Sequence, residues 1–170
     1  MKNMKKILVL AIIVLGFAAS TFAQVTATAS TTATIITPIA ITKTVDMNFG
    51  NIAVSPTIAG TVVLPTTGAR TLTGGVTLPV VTGTVTAAAF TVTGQGTSTY
   101  SITLPVAATT ITSGANTMTV DTWTSNPTPT GALTAGTQTL SVGATLHVAA
   151  SQAAGTYVSG VPFTVTVNYN

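Results

Sequence analysis

Apolar and polar residues alternate with a period of two along nearly all of the chain after residue 24, and this pattern leaves room for little but β-structure. It is cleanest at the C-terminus, where Val161, Phe163, Val165, Val167 and Tyr169 alternate with Pro162, Thr164, Thr166, Asn168 and Asn170. At the other end, one parity reads Val25, Ala27, Ala29, Thr31, Ala33, Ile35, Thr37, Ile39 and Ile41, while the other is mostly Thr and Ser. The same frame resumes at Val45, Met47 and Phe49, with Pro38 dividing the run or marking a sheet edge. About one residue in four after position 23 is Thr. Thr and Val are stiff at χ1 and suit a pleated surface, so composition and period agree.

Between these ends, Gly and Pro punctuate a series of short runs. Thr61 to Leu64 and Arg70 to Thr73 read as strands, and Val76 to Val81, which contains Pro79, reads as an edge segment. Ala88, Phe90 and Val92 lead into Gly94-Gln95-Gly96, and Tyr100, Ile102 and Leu104 follow, the pattern of a hairpin. Met118 and Val120 alternate with Thr119 and Asp121 until Trp123 breaks the rhythm. Asn126-Pro127-Thr128-Pro129 is a loop, and Leu140–Val142 and Leu146–Val148 read as two further strands. No apolar i, i+3, i+4 face persists. Eight to ten short strands joined by Gly and Pro turns predict an all-β fold, an immunoglobulin-like antiparallel β-sandwich over residues 37–170.

The first 23 residues are of another kind. Lys2, Lys5 and Lys6 precede an apolar run from Ile7 to Ala18, and small residues around Ser20 to Ala23 lead to Gln24. This is the pattern of a secretory signal peptide cleaved after Ala23. The run is shorter than the roughly 20 residues a membrane span needs, so no mature transmembrane segment is expected. Residues 24–36 then form a Thr/Ala-rich N-terminal extension or first strand. The whole chain has a formal charge of +3, but residues 24–170 hold only Lys43 and Arg70 against Asp46 and Asp121. Nucleic-acid binding needs clustered positive charge, and this segment has none. There is no Cys, so an exported fold must hold without disulfides.

Few side chains remain for chemistry. Asp46 and Asp121 are the acids after residue 23 and His147 is the only imidazole of the chain. A Ser/His/Asp arrangement would have to use His147 with Asp121, yet Leu146 and Val148 flank the histidine, and alternation turns it toward solvent. No Gly-x-Ser-x-Gly elbow accompanies it. Four-ligand zinc sites and oxygen-rich calcium sites cannot be assembled from these residues, and no cofactor is expected. Leu64-Pro65-Thr66-Thr67-Gly68 matches the short signal for sortase anchoring, but long strand sequence follows it, so a strand end entering a turn is the better description.

An ordered series of short motifs points further. Phe49-Gly50-Asn51-Ile52, Gly60-Thr61-Val62, Tyr100-Ser101-Ile102-Thr103-Leu104-Pro105, Gly143-Ala144-Thr145-Leu146 and Gly155-Thr156-Tyr157 occur in that order. The series resembles the secreted bacterial family called domain of unknown function 4402, from about Ile35 to Asn170; that family implies no activity. The terminal alternating strand, with Tyr169 next to last, and the N-terminal extension also resemble chaperone–usher pilins and their spore-coat-like relatives. In such pilins a neighbour's extension fills a groove left by a missing strand, and a periplasmic chaperone and an outer-membrane usher serve assembly. On that resemblance Val25, Ala27, Ala29, Ala33 and Ile35 are the inserted residues, and Val161, Phe163, Val165, Val167 and Tyr169 line the strand a chaperone would bind. This chain differs in lacking the usual disulfide and in having smaller inserted side chains.

The expectation is thus an exported, non-catalytic structural protein of the cell surface, pilin-like or coat-like, a homopolymer or a partner of other surface subunits. The alternative is a monomeric adhesin or carbohydrate- or protein-binding module with a self-complete sandwich, using Trp123 and the loop from Asn126 to Gly131. A hydrolase built on His147 is the third and weakest reading.

Overall fold

The computed structural model describes residues 24–170, so the expected leader, residues 1–23, lies outside the described residues. Residues 24–38 are exposed and carry no strand, with Val25 93% and Ile35 98% exposed. From Ala40 onward the chain is all-β, and every ladder is antiparallel. The strands are β1 (Ala40–Val45), β2 (Ala53–Val54), β3 (Gly60–Leu64), β4 (Thr71–Gly74), β5 (Val76–Thr77), β6 (Ala88–Thr93) and β7 (Thr99–Thr103). They continue with β8 (Thr109–Ser113), β9 (Asn116–Asn126), β10 (Thr130–Ala132), β11 (Thr137–Val148), β12 (Val158–Ser159) and β13 (Thr166–Tyr169).

The spine is β11, one strand of 12 residues where two were expected. It runs straight through Gly143, because Leu140, Val142, Ala144, Leu146 and Val148 keep one parity and all are buried. One of its edges pairs first with β6, Thr137 to Val142, and then with β3, Ala144 to Val148. Its other edge pairs with β9. The exchange of partners falls at Gly143, where a Cβ would overlap the carbonyl oxygen of Leu64 as the chain leaves β3. With β1 beyond β6, β4 beyond β3, and β8 and β12 beyond β9, this makes an eight-stranded sheet.

Two smaller sheets supply the facing layer. The sheet β10-β7-β13 shares a core with β6 and the first half of β11: Ala88, Val92, Tyr100, Leu133, Leu140, Val142, Val165 and Val167. The ribbon β2-β5 belongs to a second core of Val62, Val76, Val120, Ala144, Leu146 and Val148. Each fully buried aliphatic or aromatic side chain here contributes about 1.5–3 kcal/mol relative to exposure. Tyr100, at 0% exposure, also donates its hydroxyl to Gln138 Oε1 at 2.7 Å. Burial pushes the pKa of that phenol up.

The structure corrects four local expectations. Ala88–Val92 and Tyr100–Leu104 present the apolar faces anticipated, but β6 and β7 lie in different sheets and are not a hairpin. Alternation reports which way side chains point, and a strand on either layer can point at the same core. Val76–Val81 shrinks to the two residues of β5, with Val80 and Val81 exposed at 100% and 73%. The C-terminal ladder begins at Thr166, not Val161, and Val161 is 80% exposed. The first alternating run becomes a strand only at Ala40.

Trp123 breaks the alternation because β9 carries a bulge. Between Gly143 and Thr145 on β11 the facing strand advances from Thr124 to Asp121, one residue more than β11 does, and Thr122 takes a positive φ of 51°. The extra residue swings Trp123 to the inner face, where it packs against both cores.

Candidate functional site

The C-terminal strand and the start of β1 meet at one end of the first core. Of the residues expected to serve assembly, Val165 and Val167 are buried in that core, and Phe163 and Tyr169 are partly buried against it. Phe163 lies 4.5 Å from the Trp123 ring and edge-on to Phe90 at 6.3 Å, within the range of favourable aromatic pairs. The hydroxyl of Tyr169 accepts from the Gln95 backbone N–H at 2.6 Å and donates to the Thr37 carbonyl at 2.8 Å. Gln95 returns its side-chain oxygen to the Thr37 N–H at 3.2 Å. Gly94 leaves the space for that hydroxyl, since a Cβ there would overlap it. Both polar groups of the Thr37 backbone are therefore held, and residues 24–36 end immediately before it in the sequence.

β13 pairs through its four residues with β7, Thr166 opposite Thr103 and Tyr169 opposite Tyr100, and is the last strand of its sheet. Asn170 N–H donates to Thr99 O, while Ile102 N–H turns the other way to Pro129 O. Antiparallel ladders alternate, so the N–H and C=O groups of Val167 and Tyr169 face away from β7. Among the described residues, the terminal strand is thus paired along one edge only. Val25, Ala27, Ala29, Ala33 and Ile35, by contrast, are all exposed and outside any strand.

A second polar cluster lies on the outer face of the large sheet. Thr61 of β3 and Thr119 of β9 flank His147 of β11 in register, and Thr73 of β4 continues the row. His147 Nε2 lies 2.8 Å from Asp121 Oδ1, with side chains 46% and 39% exposed. The hydrogen bond to His147, and a second from Thr122, hold the Asp121 carboxyl below its ordinary pKa. A shallow open groove of 570 Å³ runs past Thr61, Thr73, Thr119, His147 and Gln152. Sequence reasoning placed His147 toward solvent, as found, and named Asp121 as the acid a relay would have to use; the structure brings that pair together. A His–Asp pair becomes a hydrolytic relay only when a nucleophile bonds the other ring nitrogen. Among the described residues, the imidazole's only hydrogen bond is to Asp121.

Other singled-out residues have structural places. Leu64 is fully buried at the end of β3, and Gly68 N–H bonds Pro65 O at 2.9 Å, so Leu64 to Gly68 is a strand end and a turn. Arg70 ties down loops that no motif revealed: it donates to the carbonyls of Phe49 and, at 3.0 Å, Asn51. Trp123, offered in the alternative reading as a binding surface, spends its ring on the two cores.

These features define a class: an all-β domain of layered antiparallel sheets preceded by an exposed, strandless segment. The chain belongs to the family described as Domain of unknown function (DUF4402), which matches residues 39–169. No curated protein and no solved structure matches it.

Proposed function

We propose that the chain is an exported structural subunit of the bacterial cell surface, pilin-like or coat-like, with an immunoglobulin-like sandwich that assembles by strand exchange through residues 24–36. The observation that carries this reading is the contrast between an alternating, uncharged, exposed segment and a domain whose own alternation is almost wholly spent in ladders and cores. Strand addition draws affinity from main-chain hydrogen bonds and register from alternate side chains, and residues 24–36 offer both. The family match begins at Ile39, which supports treating the preceding residues as an appendage to the domain. The scarcity of titratable groups and the hydrogen bonding of His147 support a non-catalytic role. The leader pattern of residues 1–23 supports export, and a periplasmic chaperone and usher are the partners the pilin resemblance supplies.

Deleting residues 24–36 behind the intact leader tests the proposal. Electron microscopy and size-exclusion chromatography of the surface fraction are expected to show loss of polymers with the domain still folded. Polymers of unchanged abundance would sink the exchange reading.

A further inference from the structure

Four adjacent strands of the large sheet, β4, β3, β11 and β9, set Thr73, Thr61, His147 and Thr119 opposite one another in a single row. The row lies on the outer face, because the neighbouring Val62, Leu146 and Val120 point into the second core. At about 4.8 Å between strands it spans roughly 14 Å. The loop after β11 makes a wall along it. Ser151, at a positive φ of 54°, bonds back to the connection between β2 and β3, its N–H to Ser55 O at 2.9 Å and its hydroxyl to Pro56 O at 2.8 Å. Gln152, next in the chain, directs its amide nitrogen to Thr117 O at 3.2 Å and to the Tyr157 hydroxyl at 2.8 Å. Both amide donors are thus used, and Gln152 Oε1 accepts from no described residue. Row and wall enclose the groove of 570 Å³, which is held in shape by the domain's own hydrogen bonds.

The chemistry of the groove selects its occupant. Its lining holds no Lys, Arg, Asp or Glu. The nearby Asp121 carboxylate is already bonded to His147 at 2.8 Å and to the Thr122 hydroxyl at 2.9 Å. An ionic ligand would therefore find no free counter-charge. A peptide would gain most by adding to a ladder, but β3, β11 and β9 are each paired on both edges and offer it no main chain. What remains are hydroxyls that both donate and accept, one amide acceptor, the imidazole, and the methyl groups of Thr and Ala. We infer that this groove binds a neutral oligosaccharide laid across the strands. Sugar hydroxyls donate and accept in the same way, and an extended glycan advances by close to one strand spacing, about 4.8 Å, per ring. The groove thus holds about three rings. No Phe, Trp or Tyr lines it for stacking, so affinity comes from the number of hydrogen bonds made and grows with chain length. The inference is independent of the exchange reading and lies on a different surface from the loop at Asn126 to Gly131.

Titration calorimetry of the full chain tests it, using neutral glucose, mannose, galactose and N-acetylglucosamine oligomers from disaccharide to hexasaccharide, with uronic acid oligomers and an uncharged Thr/Ser peptide as comparisons. At least one neutral series is expected to bind, several-fold more tightly as trisaccharide than as disaccharide and with little gain beyond the tetrasaccharide. Thr119→Val keeps the shape and removes one hydroxyl, and is expected to weaken binding about fivefold. Ala149→Gln plugs the groove from an exposed position and is expected to abolish it, with thermal melts confirming the fold. Thr139→Val, exposed on the other half of β11 and outside the groove, is expected to bind as the native chain does. No binding of any neutral series, tighter binding of the acidic oligomers or of the peptide, or an affinity indifferent to length would each overturn the inference. So would binding that survives both groove variants, or that falls equally in Thr139→Val.

Discussion

The two halves of β11 are sealed in different ways. From Thr137 to Val142 it lies under a three-stranded sheet, in a core that draws in Tyr100, Phe90, Phe163, Trp123 and Tyr169. From Ala144 to Val148 it lies under a ribbon of two two-residue strands, in a core of Val, Ala and Leu with fewer aromatic neighbours. The first half has a thick lid, whose β13 is paired on one edge only among the described residues. The second has a thin lid, whose flanking loops Arg70 ties together, and an outer face that carries the His147 groove. The contrast teaches that the aromatic-rich core beside β13 and the polar groove are separated along one strand, so each can be perturbed without the other.

The largest effect should come from the heavier core. Tyr100→Ala removes a fully buried ring and one of the two hydrogen bonds accepted by Gln138 Oε1, and is expected to destabilise by about 3–5 kcal/mol. Leu146→Ala in the lighter core is expected to cost about 2–4 kcal/mol. Urea unfolding followed by circular dichroism and by the fluorescence of Trp123, the only tryptophan, measures both. Because Trp123 touches both cores, the two probes should give one coincident transition in each variant. Separate transitions would show that the halves unfold as independent units and would break the comparison at its root.

Gly143→Ala addresses the junction. A Cβ there meets backbone rather than a yielding side chain, so a loss of about 1–3 kcal/mol is expected, as for other overpacked positions. Hydrogen exchange should place the loss on both sides of Gly143, in the β6 and β3 ladders. A loss confined to one ladder would mean that the exchange of partners matters to that half alone.

The smallest effect belongs to the polar groove. The Asp121 carboxyl has a lowered pKa in the folded state, so it contributes stability above the unfolded value of about 3.8 and loses it as pH falls through the lower folded value. The advantage of the native chain over Asp121→Asn should therefore shrink between pH 5 and pH 3 in thermal melts. Both partners are well exposed, so the difference should stay below about 1 kcal/mol. A pH-independent difference would show that the His147 contact is not what holds the carboxylate.

Much of the architecture was legible from alternation. The inward faces of β6, β7, β9 and β11, the solvent-facing His147 and the anomaly at Trp123 could all be read from parity. The pairing of strands could not. β6 and β7 looked like a hairpin because both point at one core across a short glycine-rich connection, and only the two-layer arrangement shows that they face each other instead of sharing a ladder. Gly143 looked like a break between strands, since glycine usually ends a run; here it accommodates the close passage of Pro65. Tyr169 was visible as the end of an alternation. Its hydrogen bonds to Gln95 and Thr37 join residues 74 and 132 positions apart, a distance no local pattern spans.

By itself, the sequence determined that this chain must be β-structured: β-branched residues in strict alternation satisfy a pleated surface and nothing helical. It also determined how little chemistry is available, because residues 24–170 hold two acids, two bases and one imidazole. Tertiary structure alone decided which edges stay open. Whether an alternating run is finished or unfinished depends on what lies on each side of it in space. For β13 that is β7 on one side and, among the described residues, no paired strand on the other.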